Sequence, residues 1–141
     1  MGSRFVVVPE GESGIDGPIF LTQRDIREMQ LAKGAIAAGL NILLREAGVE
    51  PKDLSRVLLA GAFGNFIRRK MAKGIGLLPD VPSERIRYIG NAAGAGARMA
   101  LLSKKCKEEA DDISERVEYL ELAGRPDFQA EFASAMFFPA R

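Results

Sequence analysis

The chain has 141 residues, of which 47% are apolar and 28% charged, a balance that suits one compact globular domain with its own hydrophobic core. Twenty Lys plus Arg face 19 Asp plus Glu, and a net charge of +1 gives no electrostatic case for nucleic acid as a partner. Histidine is absent and Cys106 is the one cysteine, which excludes an internal disulfide, Ser-His-Asp and Cys-His chemistry, and a basis for a zinc or iron-sulfur site made by this chain.

Met1, Gly2 and Ser3 read as an expression scar, and residues 4–141 as a single subdomain. The β-branched and aromatic run Phe5, Val6, Val7, Val8 predicts a strand that starts abruptly, as a piece of a longer chain would. No signal-peptide pattern precedes it, and no apolar run approaches the roughly 18–20 residues of a membrane span, so the expectation is a cytoplasmic protein without a membrane partner. A turn-rich connection over residues 9–18 leads to Ile19, Phe20 and Leu21, giving a β-hairpin. Asp16-Gly17 invites comparison with the Asp-x-Gly metal-phosphate loops of ATPases, but its turn preference favours a hairpin corner.

Thr22 and Asp25 form a capping-box pair that opens the clearest helix, and Gly48 is placed to end it. Ile26, Met29, Lys33, Ile36, Leu40, Leu43 and Ala47 recur at spacings of three and four, which predicts one buried face. Lys33 is the exception on that stripe. Either its stem carries the charge to the surface, or the ammonium meets something in a cleft.

Beyond a polar connection, residues 56–60 predict a buried strand, followed by Gly61, Ala62, Phe63, Gly64 and Asn65 as a small-residue corner. A basic helical segment over residues 66–73 follows, and a second strand, residues 86–89, runs into a similar corner over residues 90–96 and another helix. A charged helix carries Cys106, Ala110, Ile113 and Val117. Residues 117–122 read as a short strand, and residues 127–138 as a last helix rich in Phe. Strands alternating with helices give an α/β fold: a hairpin, then helix–strand–helix–strand–helix, with a parallel portion to the sheet.

Glycine-rich corners after strands let backbone approach a ligand, although small residues also serve tight packing. The corner over residues 90–96 lacks the third glycine of a dinucleotide fingerprint, and no acid is placed for the ribose, which disfavours a Rossmann-type dehydrogenase. No Gly-x-x-x-x-Gly-Lys-Ser/Thr occurs either, so a P-loop is excluded.

The run LLAGAFGN (residues 58–65) resembles the adenosine motif of the actin, heat-shock chaperone and sugar-kinase superfamily. With GIGLLP (residues 74–79), IRYIGNAAGAGARMALLS (residues 86–103), VEYLEL (residues 117–122) and FASAMFFP (residues 132–139), the chain resembles the C-terminal domain of corrinoid-protein reductive activators over nearly its whole length. The resemblance implies an actin-like, ribonuclease-H-like ATPase half-lobe from a larger two-lobed protein, binding ATP or ADP with Mg. It implies a [2Fe-2S] domain, absent here, that delivers the electron taking Co(II) to Co(I). It also implies a corrinoid protein or a corrinoid-dependent methyltransferase as partner.

Within that family likeness, Gln30 and Lys33 match the spacing of a helix-borne Glu and Lys that contact adenosine, with Gln in place of Glu; residues three apart share a helix face. Ala62 stands where the adenosine motif usually has a second glycine. Phosphate loops and metal-positioning carboxylates are not found in this chain, so the piece alone is not expected to turn over ATP. The competing reading is a non-catalytic interaction module that docks a partner through its Phe-rich C-terminus. A partial lobe would also expose apolar surface and form homo-oligomers.

Overall fold

The computed structural model describes residues 3–139, without the side chains of Phe63 and Asn65; the first two residues of the supposed scar lie outside it. Strands β1 (Arg4–Val8) and β2 (Ile19–Thr22) form an antiparallel hairpin with a bulge between Val6 and Val8. Gly17 sits at φ 103 and the Ser13 hydroxyl donates to its carbonyl at 2.6 Å, so Asp16-Gly17 is a hairpin corner.

Helix α1 (Gln23–Glu46) starts where the sequence places it. The Asp25 carboxylate accepts from the Thr22 backbone at 2.8 Å and the Thr22 hydroxyl accepts from the Asp25 backbone at 3.2 Å, closing the capping box. At the other end Gly48 adopts φ 63, its N–H donates to the Arg45 carbonyl, and Val49 donates to Leu44, the paired bonds of a Schellman stop.

Strands β3 (Val57–Ala60) and β4 (Ile86–Gly90) pair in parallel, and the connection between them carries α2 (Gly61–Phe66) and α3 (Arg69–Gly74). Helices α4 (Ala92–Leu102), α5 (Lys104–Arg116) and α6 (Pro126–Ala135) complete the chain. The hairpin and the parallel pair remain separate two-stranded sheets. This is the expected α/β pattern of a hairpin followed by alternating helices and strands, with extra helical pieces.

Three local expectations need correction. Residues 117–122 are not a strand: no strand among the described residues offers them a hydrogen-bond ladder, and they run irregularly with Leu122 lying against Gly39 of α1. The corner over residues 61–65 is not a loop but most of α2. The buried face of α1 is also not the stripe of large residues. Met29, Ile36 and Leu43 are exposed, whereas Lys33, Gly34, Ala38, Gly39 and Ile42 are buried.

The reason is close helix packing. A Cβ on Gly34 would stand 3.0 Å from Met136 Cγ and 3.3 Å from its backbone, so the missing side chain lets the end of α6 lie on α1. The two helices run antiparallel and are tied at the far end. Arg45 and Asn41 both reach Glu131, at 2.9 and 2.8 Å, and Arg125 bridges Glu46 at 2.6 Å and Asp127 at 2.9 Å.

The core is small: Ala38 and Ile42 from α1, Ala72 from α3, Leu77 and Val81 from the following loop, and Ile86 opening β4. Phe5, Val6, Val7, Ile19, Phe20 and Leu21 of the hairpin are all exposed. Stability therefore rests heavily on the α1–α6 contact. Gly34→Val would force a branched side chain into Met136 and should cost about 1–3 kcal/mol, the usual range for overpacking, read from urea unfolding. Thr22→Ala should cost about 1 kcal/mol through loss of the cap. Hydrogen bonds from the Thr22 backbone and hydroxyl hold the Asp25 carboxyl below its ordinary value. Thr22→Ala keeps the backbone bond and removes the hydroxyl one. The parent should hence lose only the hydroxyl–carboxylate share of its advantage as pH falls below about 4 and through the folded Asp25 value.

Candidate functional site

Lys33 lies at the start of the small-residue face of α1, next to Gly34, and is 3% exposed. The ammonium donates to the main-chain carbonyl of Phe137, and Nζ lies 5.3 Å from the centre of the Phe138 ring. Among the described residues it has no carboxylate partner, and burial holds its pKa below the ordinary lysine value. Of the two readings open at sequence level, the stem does not carry the charge to the surface.

Lys33 forms a wall of two neighbouring cavities. One, about 290 Å³, lies on the C-terminal side between Ala37, Leu40, Gly76, Leu78, Phe137 and Pro139. The other, about 440 Å³ and almost wholly apolar, lies between Met29, Ile36, Ile67, Met71, Ile75 and Leu77, with Arg68 at its edge. Met29 and Ile36, exposed on α1, thus line a cleft rather than a core, while Leu43 lines neither cavity. Gly76 belongs to the same region for two reasons. Its φ is 73, and a Cβ there would come within 3.1 Å of the Pro139 ring and 3.6 Å of Lys33 Nζ.

Gln30 sits half-buried one turn before Lys33 on α1 and lines neither cavity. Gly61, Ala62 and Gly64 of the adenosine motif also stay outside both, although Ile67 and Arg68, immediately beyond α2, line the larger one. Within the motif the glycines do different work. Gly61, at φ 82, turns the chain from β3 into α2, and a Cβ there would meet nothing within 4 Å. Gly64 is buried, and a Cβ on it would press 3.2 Å from Leu59 Cβ, so its smallness serves packing. Ala62 is exposed; the side chains of Phe63 and Asn65 lie outside the described residues.

The second corner is used structurally. Gly90 turns at φ 63, and the Asn91 side chain accepts from the Gly94 N–H at 2.9 Å to cap α4; any Cβ on Gly94 would collide with Asn91. Sequence reasoning missed Phe137, Phe138 and Gly76 as neighbours of Lys33. Only GIGLLP and FASAMFFP, as parts of the family likeness, pointed to those segments. Cys106 is a half-buried free thiol on α5, and no group of three or more His, Cys, Asp or Glu suited to a metal occurs among the described residues. None of the described helices is long and apolar enough to cross a membrane.

Residues 1–141 match the family described as the C-terminal domain of RACo, the ASKHA domain. The chain belongs to that family. A solved reductive activator for corrinoid, iron-sulfur protein superposes on this ASKHA domain with a TM-score of 0.81 and 40% identity, over 96% of the chain and 22% of the solved one. The corrinoid activation enzyme RamQ of Eubacterium limosum is 41% identical over 124 residues, covering 88% of this chain and 21% of RamQ. The [Co(II) methylated amine-specific corrinoid protein] reductase of Methanosarcina barkeri is 27% identical over 114 residues, covering 81% of this chain and 21% of the reductase. The ASKHA domain described here thus spans about a fifth of the length of these relatives.

Burying a charged ammonium costs stability wherever its folded pKa lies below its unfolded one. The cost is complete below the folded value and disappears as pH rises to the unfolded value, about 10.4. Lys33→Met keeps the bulk without the charge. It should melt no lower than the parent at pH 7, and any advantage should shrink as pH approaches 10, checked by calorimetry across pH.

Proposed function

We propose that this chain is the adenosine-side part of an ATPase that couples ATP hydrolysis to reductive activation of a corrinoid protein, Co(II) to Co(I). The electron comes from a [2Fe-2S] domain elsewhere in a longer parent protein. Family membership over the whole chain and the names of its relatives support the corrinoid part of this reading. The single observation that carries the nucleotide part is Lys33, a buried ammonium without an acidic partner among the described residues, in the wall of two cavities.

Such a group has three N–H donors and, among the described residues, one protein acceptor, the Phe137 carbonyl. The free donors suit the ring nitrogens or ribose oxygens of a nucleotide, and the apolar surface of Met29, Ile36, Ile67 and Met71 suits a purine face. In this reading Gln30 and Lys33 present one edge of the site. Gly61, Ala62, Phe63, Gly64 and Asn65 present the other when the parent protein closes on ATP or ADP with Mg. Phosphate and metal positioning belong to the rest of the parent, so this piece binds without turning over. The physiological partner is a corrinoid protein or a corrinoid-dependent methyltransferase in the cytoplasm.

The alternative, an interaction module acting through the Phe-rich C-terminus, receives less support. Phe128, Phe132 and Met136 are half-buried, and Phe138 covers Lys33, which leaves Phe137 as the most exposed aromatic of that segment.

ADP affinity measured by calorimetry on the parent protein tests the assignment. Lys33→Met should weaken binding about tenfold or more, since hydrogen bonds from charged groups contribute about 1.5–3 kcal/mol. Unchanged affinity would refute it. We further propose that the isolated chain self-associates through its exposed hairpin residues. Sedimentation should show a mass that rises with concentration, and a monomer at high concentration would contradict this.

A further inference from the structure

Lys33 stands between two cavities on a long flexible stem, and nothing on α1 itself fixes which way its ammonium turns. What fixes it comes from the other end of the chain. The turn after α6 brings the Phe137 carbonyl and the Phe138 ring to Nζ. That turn is seated at two points. On one side Met136 lies on Gly34, where a Cβ would be 3.0 Å away; on the other Pro139 lies on Gly76, where a Cβ would be 3.1 Å away. Phe137 and Phe138 lie between these two glycine seats, so the acceptor and the aromatic face are held relative to α1 rather than carried on a free tail.

We propose that residues 137–139 are a positioning latch for Lys33: they hold its ammonium ready for a nucleotide, and Phe138 is thereby a determinant of nucleotide affinity. The proposal rests on the reading of Lys33 as a nucleotide contact. A carbonyl and a ring face stabilise the buried ammonium while taking few of its donors, whereas a carboxylate would also offset the charge that attracts an electron-rich ligand. The Nζ group is oriented, with one N–H bonded to the Phe137 carbonyl and the others not bonded among the described residues, and pre-organisation of this kind raises affinity by removing an ordering cost from the binding step. Gly34 and Gly76 then act as seats whose lack of a side chain sets where the latch closes.

The test compares Phe138→Leu, which keeps apolar cover and removes the ring face, with Phe138→Trp, which keeps a ring face. ADP binding to the parent protein is measured by calorimetry, and thermal melts confirm that each variant is folded. Phe138→Leu should weaken ADP binding about three- to tenfold, the size of a partly desolvated cation–π contact, and Phe138→Trp should stay within about twofold of the parent. In a Lys33→Met background Phe138→Leu should have no further effect. Parent-like or tighter binding by Phe138→Leu, or an equal loss in the Lys33→Met background, would overturn the latch.

A second readout separates the two ideas. The Lys33 side-chain NMR resonances should lose a ring-current shift in Phe138→Leu without any nucleotide present. If they move while Lys33→Met leaves ADP affinity unchanged, the contact stands and the nucleotide role of Lys33 falls. If they do not move, the latch falls.

Discussion

The packing of α6 on the small-residue face of α1 is the contact on which the rest of the molecule depends. Gly34, Ala38 and Gly39 remove side chains where Met136 and Leu122 press in, and Arg45, Asn41 and Glu46 tie the far end through Glu131 and Arg125. Without that approach the turn beyond α6 would not reach Lys33, and a buried ammonium would have neither acceptor nor aromatic cover. The close packing and the polar chemistry at Lys33 are one feature seen from two sides.

The rest of the fold is sparsely packed. Its buried apolar residues cluster around α1, α3 and the start of β4, while two separate two-stranded sheets carry exposed apolar side chains. Leu58 in the middle of β3 and Ile89 in β4 are about half exposed, as are most hairpin residues. That distribution accords with a domain that spans about a fifth of its relatives' length and shares its backbone arrangement with a much longer solved chain. Hydrophobic burial that would stabilise a whole lobe is only partly satisfied by these residues.

Much of this was legible locally. The Thr22–Asp25 box, the Gly48 stop and the apolar runs before Gly61 and Gly90 are short-range signals, and each element they predict is present. Failures came where tertiary contact decides. Counting large apolar residues along α1 picked Met29, Ile36 and Leu43, because a periodicity scan rewards bulk, whereas close helix contact selects glycine and alanine. Residues 117–122 carry strand-forming side chains, yet a strand needs a neighbour, and none lies there among the described residues. Residues 61–65 read as loop because glycine is a poor helix former, but one positive φ at Gly61 suffices to start α2. The odd position of Lys33 was visible in the sequence. Its partners were not, because Phe137 is 104 residues away.

That separation has a consequence for biosynthesis. A ribosome emits α1 early, with a lysine among its small residues and no acceptor in reach, and the acceptor emerges more than a hundred residues later. Until then α1 can hold its ammonium only toward water. The Lys33–Phe137 contact therefore cannot form until the segment after α6 has been made.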